Sequence, residues 1–132
     1  MSTLMTDLDR NALADNEAGR ISFLSLHTAT PGITGAAEAT LGSPAYARKA
    51  PTFNAAGAIG PLGGTLQPAT VGVAWSSEVI FDVAAGSYTH WGSWSLLTAG
   101  VFRIGNVLAA TQSPGSQGQV KLSISVGPVA GA

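Results

Sequence analysis

The amino-acid sequence predicts a mainly β fold, a single sandwich or barrel of about seven short antiparallel strands behind a short amino-terminal helix. Three observations predict it. Beyond Gly19 the apolar residues come in short runs rich in Val, Ile, Phe, Tyr and Trp. Turn residues separate these runs at spacings of about 8–12 residues, as in sandwiches and barrels. The chain has 132 residues, enough for one domain with a real core.

Taken in order, Thr6 to about Ala18 reads as a helix. Thr6 can cap it, with Asp9 three positions on, and Gly19 is a natural stop. Leu8, Ala12 and Leu13 form a thin apolar stripe, so this helix is expected to pack on something larger. Ile21–Leu26 is the first extended run, closed by a loop at Pro31-Gly32 and Gly35. Ala45–Arg48 and Thr52–Phe53 form a second extended stretch, which Pro51 demotes to an edge or a bulge. Asn54 to Gly64 reads as a long glycine-rich loop. Thr70–Trp75, Val79–Val83, Tyr88–Ser95, Val101–Leu108 and Val120–Val126 complete the strand candidates. Ala85-Gly86-Ser87, Ala99-Gly100 and Ser113-Pro114-Gly115 separate several of them. The expected organisation is a helical segment at 1–19, a β domain at 20–126 and an extended arm at 127–132.

Charged residues are only 10% of the chain, against about 25% in an ordinary soluble domain. They crowd the first twenty residues, and none occurs from Ala50 to Ser77 or from Ile104 to Val120. A small protein with so little charge must cover itself with small and apolar groups, and such surfaces usually mark contacts with other chains. Self-association, as a trimer, is the expectation. The net charge of −1 supplies no field that would steer the chain to nucleic acid or anionic lipid. There is no cysteine, hence no disulfide and no thiolate metal site. No apolar run approaches the roughly 18 residues of a membrane helix. The first residues carry acid where a signal peptide carries base.

The search for chemistry finds no catalytic constellation. His27 and His90 are far apart and lack ligand spacing; a metal site would need Glu38, Glu78 or Asp82 to join them. Gly-x-Ser-x-Gly is absent, and the glycine-rich stretch Gly57–Gly64 is not followed by Gly-Lys-Ser/Thr. Glu78 and Asp82 fall on one strand face, where a solvated pair is the ordinary reading. No cofactor and no enzymatic activity are expected. Trp91 and Trp94, with Tyr88 and Trp75, are the richest aromatic feature. The two tryptophans point to opposite faces of a strand, so one is expected in the core and the other at a surface or interface.

Ser25-Leu26-His27-Thr28-Ala29-Thr30-Pro31-Gly32, then Thr34-Gly35-Ala36 and Glu38, resembles a family of small tailed-bacteriophage virion proteins with a Ser-Leu-His-Thr-Ala-x-Pro-Gly motif. Ser43–Ala50, Phe81–Gly86 and Thr89–Ser95 look like further blocks of that family, in the same order. The linker from Asn54 to Thr70 is longer than the family's usual one. The resemblance implies a non-catalytic virion component, of tail-fibre, minor tail or capsid decoration type, assembled in the bacterial host cytoplasm. Its expected partners are other copies of itself and virion proteins such as the major capsid or tail proteins.

On this reading His27, Pro31, Gly32, Arg48, His90 and Gly92 are structural. His27 can bond across the Pro31 turn through a ring nitrogen. Arg48 can pair with Glu38 or donate to carbonyls where strands end. Gly92 allows close approach of another backbone. Leu8, Leu13, Trp91 and Trp94 are candidate interface residues. The short chain, with no fibrous shaft, tilts the expectation toward a multi-copy capsid decoration subunit on the particle exterior. A tail-fibre or minor tail protein is the alternative, and a carbohydrate-binding module that presents its tryptophans to host-surface glycan is the other.

Overall fold

The computed structural model describes residues 6–42, 44–57 and 71–127. It is mainly β, with one helix, α1 (Asp7–Gly19), and seven strands. The strands are β1 (Phe23–His27), β2 (Ala74–Trp75), β3 (Val79–Val83), β4 (Tyr88–Trp94), β5 (Phe102–Gln112), β6 (Gly118–Leu122) and β7 (Ser125–Val126). All pairings are antiparallel, in the orders β1-β4-β5, β2-β7 and β3-β6, and no barrel closes among the described residues. The predicted fold class holds, and the C-terminal arm expected at 127–132 lies, beyond Gly127, outside the described residues.

The chain divides into two compact units. One comprises Ile21–Ala50 and Val79–Leu122 and holds the sheets β1-β4-β5 and β3-β6. Every residue of β1 after Phe23 is buried. Alternation on β3 turns Val79, Phe81 and Val83 inward and leaves Ile80 outside, as a half-buried strand should. Val120 and Leu122 of β6 lie opposite Phe81 and Val79 in the ladder, so the apolar residues share a face. Phe81 is fully buried and stacks on Tyr46 at 6.0 Å between ring centroids.

The other unit draws on the chain up to Arg20, on Pro51–Glu78 and on the residues from Ser123. Its centre is the β2-β7 pair with α1 against it. The fully buried Ser76 ties this pair together. Its Oγ accepts from the Ile124 amide at 2.8 Å and its carbonyl accepts from Ser123 Oγ at 3.0 Å. The helix begins as expected: Thr6 is the N-cap, and its hydroxyl accepts from the Asp9 amide at 3.2 Å.

The stripe of Leu8 and Leu13, named above as candidate interface residues, is not the face by which the helix packs on its own unit. Ala14 and Ala18 are the buried helix residues, while Leu8 and Leu13 are 78% and 45% exposed. Two small side chains at i and i+4 let the helix come close to β2 and β7. The polar residues around them then serve backbone groups: Asn11 accepts from the Gly72 amide and Asp15 from the Ala56 amide, each at 2.7 Å. Satisfying those amides outweighed burying two leucines on a thin stripe.

Strand limits also moved. The stretches Ala45–Arg48 and Thr52–Phe53 form no strand, and this part of the chain contributes isolated bridges, Leu24 with Lys49 and Phe53 with Ser76. The run Val120–Val126 splits into β6 and β7, whose partners differ. The last strand of the β1-β4-β5 sheet runs on to Gln112. The run from Thr70 shortens to Ala74–Trp75, and Thr70, like residues 58–64 of the glycine-rich loop, lies outside the described residues.

Truncation of Phe81 to Ala should cost about 3–5 kcal/mol, the scale for a buried phenylalanine. Val107→Ala on the exposed β5 should stay within about 0.5 kcal/mol, as surface changes usually do. Urea denaturation monitored by tryptophan fluorescence measures both.

Candidate functional site

The most organised chemistry lies around the loop that follows β1. Strand alternation places Ser25 and His27 on the same face of β1, and both are fully buried. The loop returns through Pro31, whose carbonyl accepts from the amides of Gly35 and Ala36 at 3.0 and 3.1 Å. This brings the Ala36 carbonyl to His27 Nδ1 at 2.7 Å, the bond across the turn that the sequence suggested. A carbonyl only accepts, so Nδ1 carries the proton. Nε2 is then an acceptor, and Ser25 Oγ donates to it at 2.7 Å. The same Oγ accepts from Trp94 Nε1 at 3.0 Å. Trp94, Ser25, His27 and Ala36 form a relay in which every buried donor has an acceptor.

The relay has the outline of a serine–histidine dyad, but it is sealed. A serine with no exposed surface cannot reach a substrate, so its hydroxyl acts here as a structural connector. Burial lowers the His27 pKa below its usual 6.5; the Ala36 carbonyl and Glu38 pull the other way without reversing it. Protonation would also set Nε2–H against the Ser25 hydroxyl proton. His90 lies opposite His27 in the ladder, and its Nδ1 is 2.8 Å from Thr89 Oγ1. No group of three metal-ligating side chains is found among the described residues.

Beside the relay lies the ion pair that the sequence suggested. Arg48 Nε and Nη2 donate to the two carboxylate oxygens of Glu38, each at 2.8 Å. Its Nη1 donates to the carbonyls of Leu96 and Ala99 at 3.0 and 2.7 Å, and its guanidinium lies 3.7 Å over the Trp94 ring. Burial pushes the Glu38 pKa up, but the hydrogen bonds from Arg48 and Tyr46 overcome it and hold the carboxyl below its ordinary 4.5. The Tyr46 hydroxyl donates to Glu38 at 2.9 Å and accepts from the Leu26 amide at 3.1 Å; burial pushes its pKa well up, and Glu38 adds to this. Ala37 and Ala99 flank the network with φ of 62° and 53°, in the left-handed region that alanine rarely adopts.

The two tryptophans are a correction. Trp94 pairs with Phe23 and Trp91 with Leu26, which keeps them on opposite faces of β4, as expected. Both are only 9% exposed, because both faces of the sheet are covered. Phe102 meets the Trp94 ring edge-on at 5.2 Å, and Gly35 has no Cβ because the Trp94 ring fills that space. Gly92 is also required by close approach, but side chains approach it and not another backbone. A Cβ there would lie 2.7 Å from His27 Nε2 and 2.8 Å from Phe102. Pro31 is buried, and Gly32, at φ 58°, turns the loop behind it.

The network holds an apolar tip. Both carbonyls that Arg48 grips belong to the β4–β5 connection, which exposes Leu96, Leu97 and Val101 at 55%, 51% and 61%. The sequence reading passed over Ser25, Tyr46 and these residues. Ser25 and Tyr46 were detectable, since each lies two positions before a singled-out residue, His27 or Arg48, and so on its face in extended chain. Phe102 and the apolar tip carry no local signal.

Residues 17–129 match the family model described as podophage GP4 fiber I protein gp80. The chain belongs to that family. No curated protein and no solved structure matches. The chain is therefore a phage virion structural protein, and the match takes in the whole relay and the Arg48–Glu38 pair. The family is one of fibre proteins, so the tilt toward capsid decoration has no support and the tail-fibre alternative fits better. Most of α1 precedes the matched residues.

Two predictions follow from the network. Neutral His27 contributes stability in full above about pH 6.5, the value in the unfolded chain; as pH falls below it the unfolded chain takes up a proton that the folded one resists. Glu38 adds a second loss as pH falls below about 4.5. Urea midpoints measured from pH 8 to pH 3 should therefore drop in two stages, and His27→Gln should remove the first. In the second prediction, Arg48→Met leaves the part-buried Glu38 carboxylate with Tyr46 but without its ion-pair partner and should cost at most about 3–5 kcal/mol, the scale for a fully buried pair. Adding Glu38→Gln to that variant should recover part of the loss, which a double-mutant cycle on thermal melts measures.

Proposed function

We propose that this chain is a multi-copy, non-catalytic subunit of a podophage tail fibre. The family match over residues 17–129 carries this reading. The architecture supports it. The ionisable groups with the most partners are buried in a structural network, and the large apolar residues Leu96, Leu97, Val101 and Val107 face outward, where they are available to other chains. Leu8 and Leu13 on α1 offer a second apolar surface of the same kind, in a helix that mostly precedes the family match. With both tryptophans at 9% exposure, a glycan platform built on them finds no support.

Gold-labelled antibody against this chain should decorate the tail of intact virions. Deletion of its gene should yield particles that lack fibre density and adsorb poorly, with heads of unchanged stability. Label on the head surface, or fibres of normal appearance in the deletion phage, would sink the proposal.

A further inference from the structure

Two exposed apolar surfaces of this chain carry unpaired charge of opposite sign. The first is on α1. Asp9, Ala12, Leu13 and Asn16 line an open groove of about 340 Å³. Their spacing of three and four residues puts them on one helix face, with Leu8 one turn before Ala12. At 100° per residue this face is opposite the one that packs through Ala14 and Ala18. The helix holds four carboxylates against one arginine, Arg10, which pairs with Asp7. Asp9, on the groove, makes no ion pair among the described residues.

The second surface is the β4–β5 connection with its exposed Leu96, Leu97 and Val101. Arg103 comes two positions after Val101, on the same side of extended chain. It is the sole Lys, Arg, Asp or Glu between Asp82 and Lys121. Among the described residues it makes no ion pair, and its Nε is buried without an acceptor. A guanidinium partly withdrawn from water and left without a carboxylate is costly. A carboxylate brought to its remaining nitrogens lowers that cost through charge-assisted bonds.

We propose that these two surfaces are each other's partners: the groove face of α1 on one copy docks on the β4–β5 connection of another, with Asp9 against Arg103. A second copy answers both surfaces at once. Apolar side chains meet apolar side chains, and the acidic helix meets the lone positive charge beside the connection. The grip of Arg48 on the Leu96 and Ala99 carbonyls presents the connection ready-made, which reduces the entropy lost on docking. The two surfaces differ, so the contact is heterologous, and copies joined by it close into a ring or continue as a fibre. The inference rests on these surfaces and not on the protein's place in the virion, and purified protein tests it.

Leu8→Gln with Leu13→Gln disables the helix face, and Leu97→Glu with Val101→Glu disables the connection. All four positions are exposed, so both variants should keep the wild-type circular dichroism spectrum. In sedimentation equilibrium the wild-type chain should show a mass above one copy, and each variant alone the mass of one. An equimolar mixture of the two variants should give two copies and no more, because one keeps an intact connection and the other an intact helix. A contact between like surfaces could not be rebuilt this way. Asp9→Arg and Arg103→Glu should each weaken association by on the order of tenfold, and both in one chain should restore it. A wild-type mass of one copy, a leucine variant that still associates, a mixture that stays at one copy, or a charge reversal that its opposite does not rescue would each overturn the proposal. Should Arg103→Glu lose the wild-type spectrum, the mixture decides by itself.

Discussion

The larger unit depends on one side chain, the guanidinium of Arg48. Removing such a group from water is expensive, and the cost is offset only where each donor finds an acceptor of good geometry. Here the fork of Arg48 meets both oxygens of Glu38, the remaining nitrogen takes two carbonyls, and the flat face lies on Trp94. These contacts join three pieces of chain that are distant in sequence. Lysine could not replace it, since a point charge has neither the fork nor the stacking plane. A buried ion pair of this kind is weak evidence for stability and better understood as a way to specify one arrangement among several.

The relay from Trp94 to Ala36 is constrained by the same principle. A buried serine and histidine on an inward strand face would each be costly alone. Lined up, they satisfy one another, and the direction of every bond follows from the one group that cannot donate, the Ala36 carbonyl. Gly92 and Gly35 make room, the first for the imidazole and the second for the indole. Geometry that elsewhere generates a nucleophile here fills a core, and access to solvent makes the difference.

What the network braces is as informative as the network. The grip of Arg48 on two carbonyls offsets the cost of the positive φ at Ala99 and braces the β4–β5 connection, which presents apolar side chains outward. A contact surface fixed in advance loses less entropy on association than a mobile one. In the smaller unit the helix does the reverse of what its leucines suggest. It docks by its alanines and its polar side chains and keeps Leu8 and Leu13 free.

The sequence by itself determined the features that depend on local rules. Short apolar runs between turn residues marked the strands, and Thr6 and Asp9 marked the helix start. It also narrowed the partners of Arg48, because Glu38 is one of few carboxylates in its region. Only the tertiary structure decided which faces are covered. Trp91 and Trp94 alternate as the chain dictates, yet both are buried, because burial depends on what other segments lay against each face. The same holds for α1, which packs through Ala14 and Ala18 while Asn11 and Asp15 serve amides and Leu8 and Leu13 stay exposed. It holds also for Phe102, which meets Trp94 through a bulged register between β4 and β5. Alternation is a property of the backbone and can be read along the chain. Coverage is a property of contacts between residues far apart in sequence, and no local pattern encodes it.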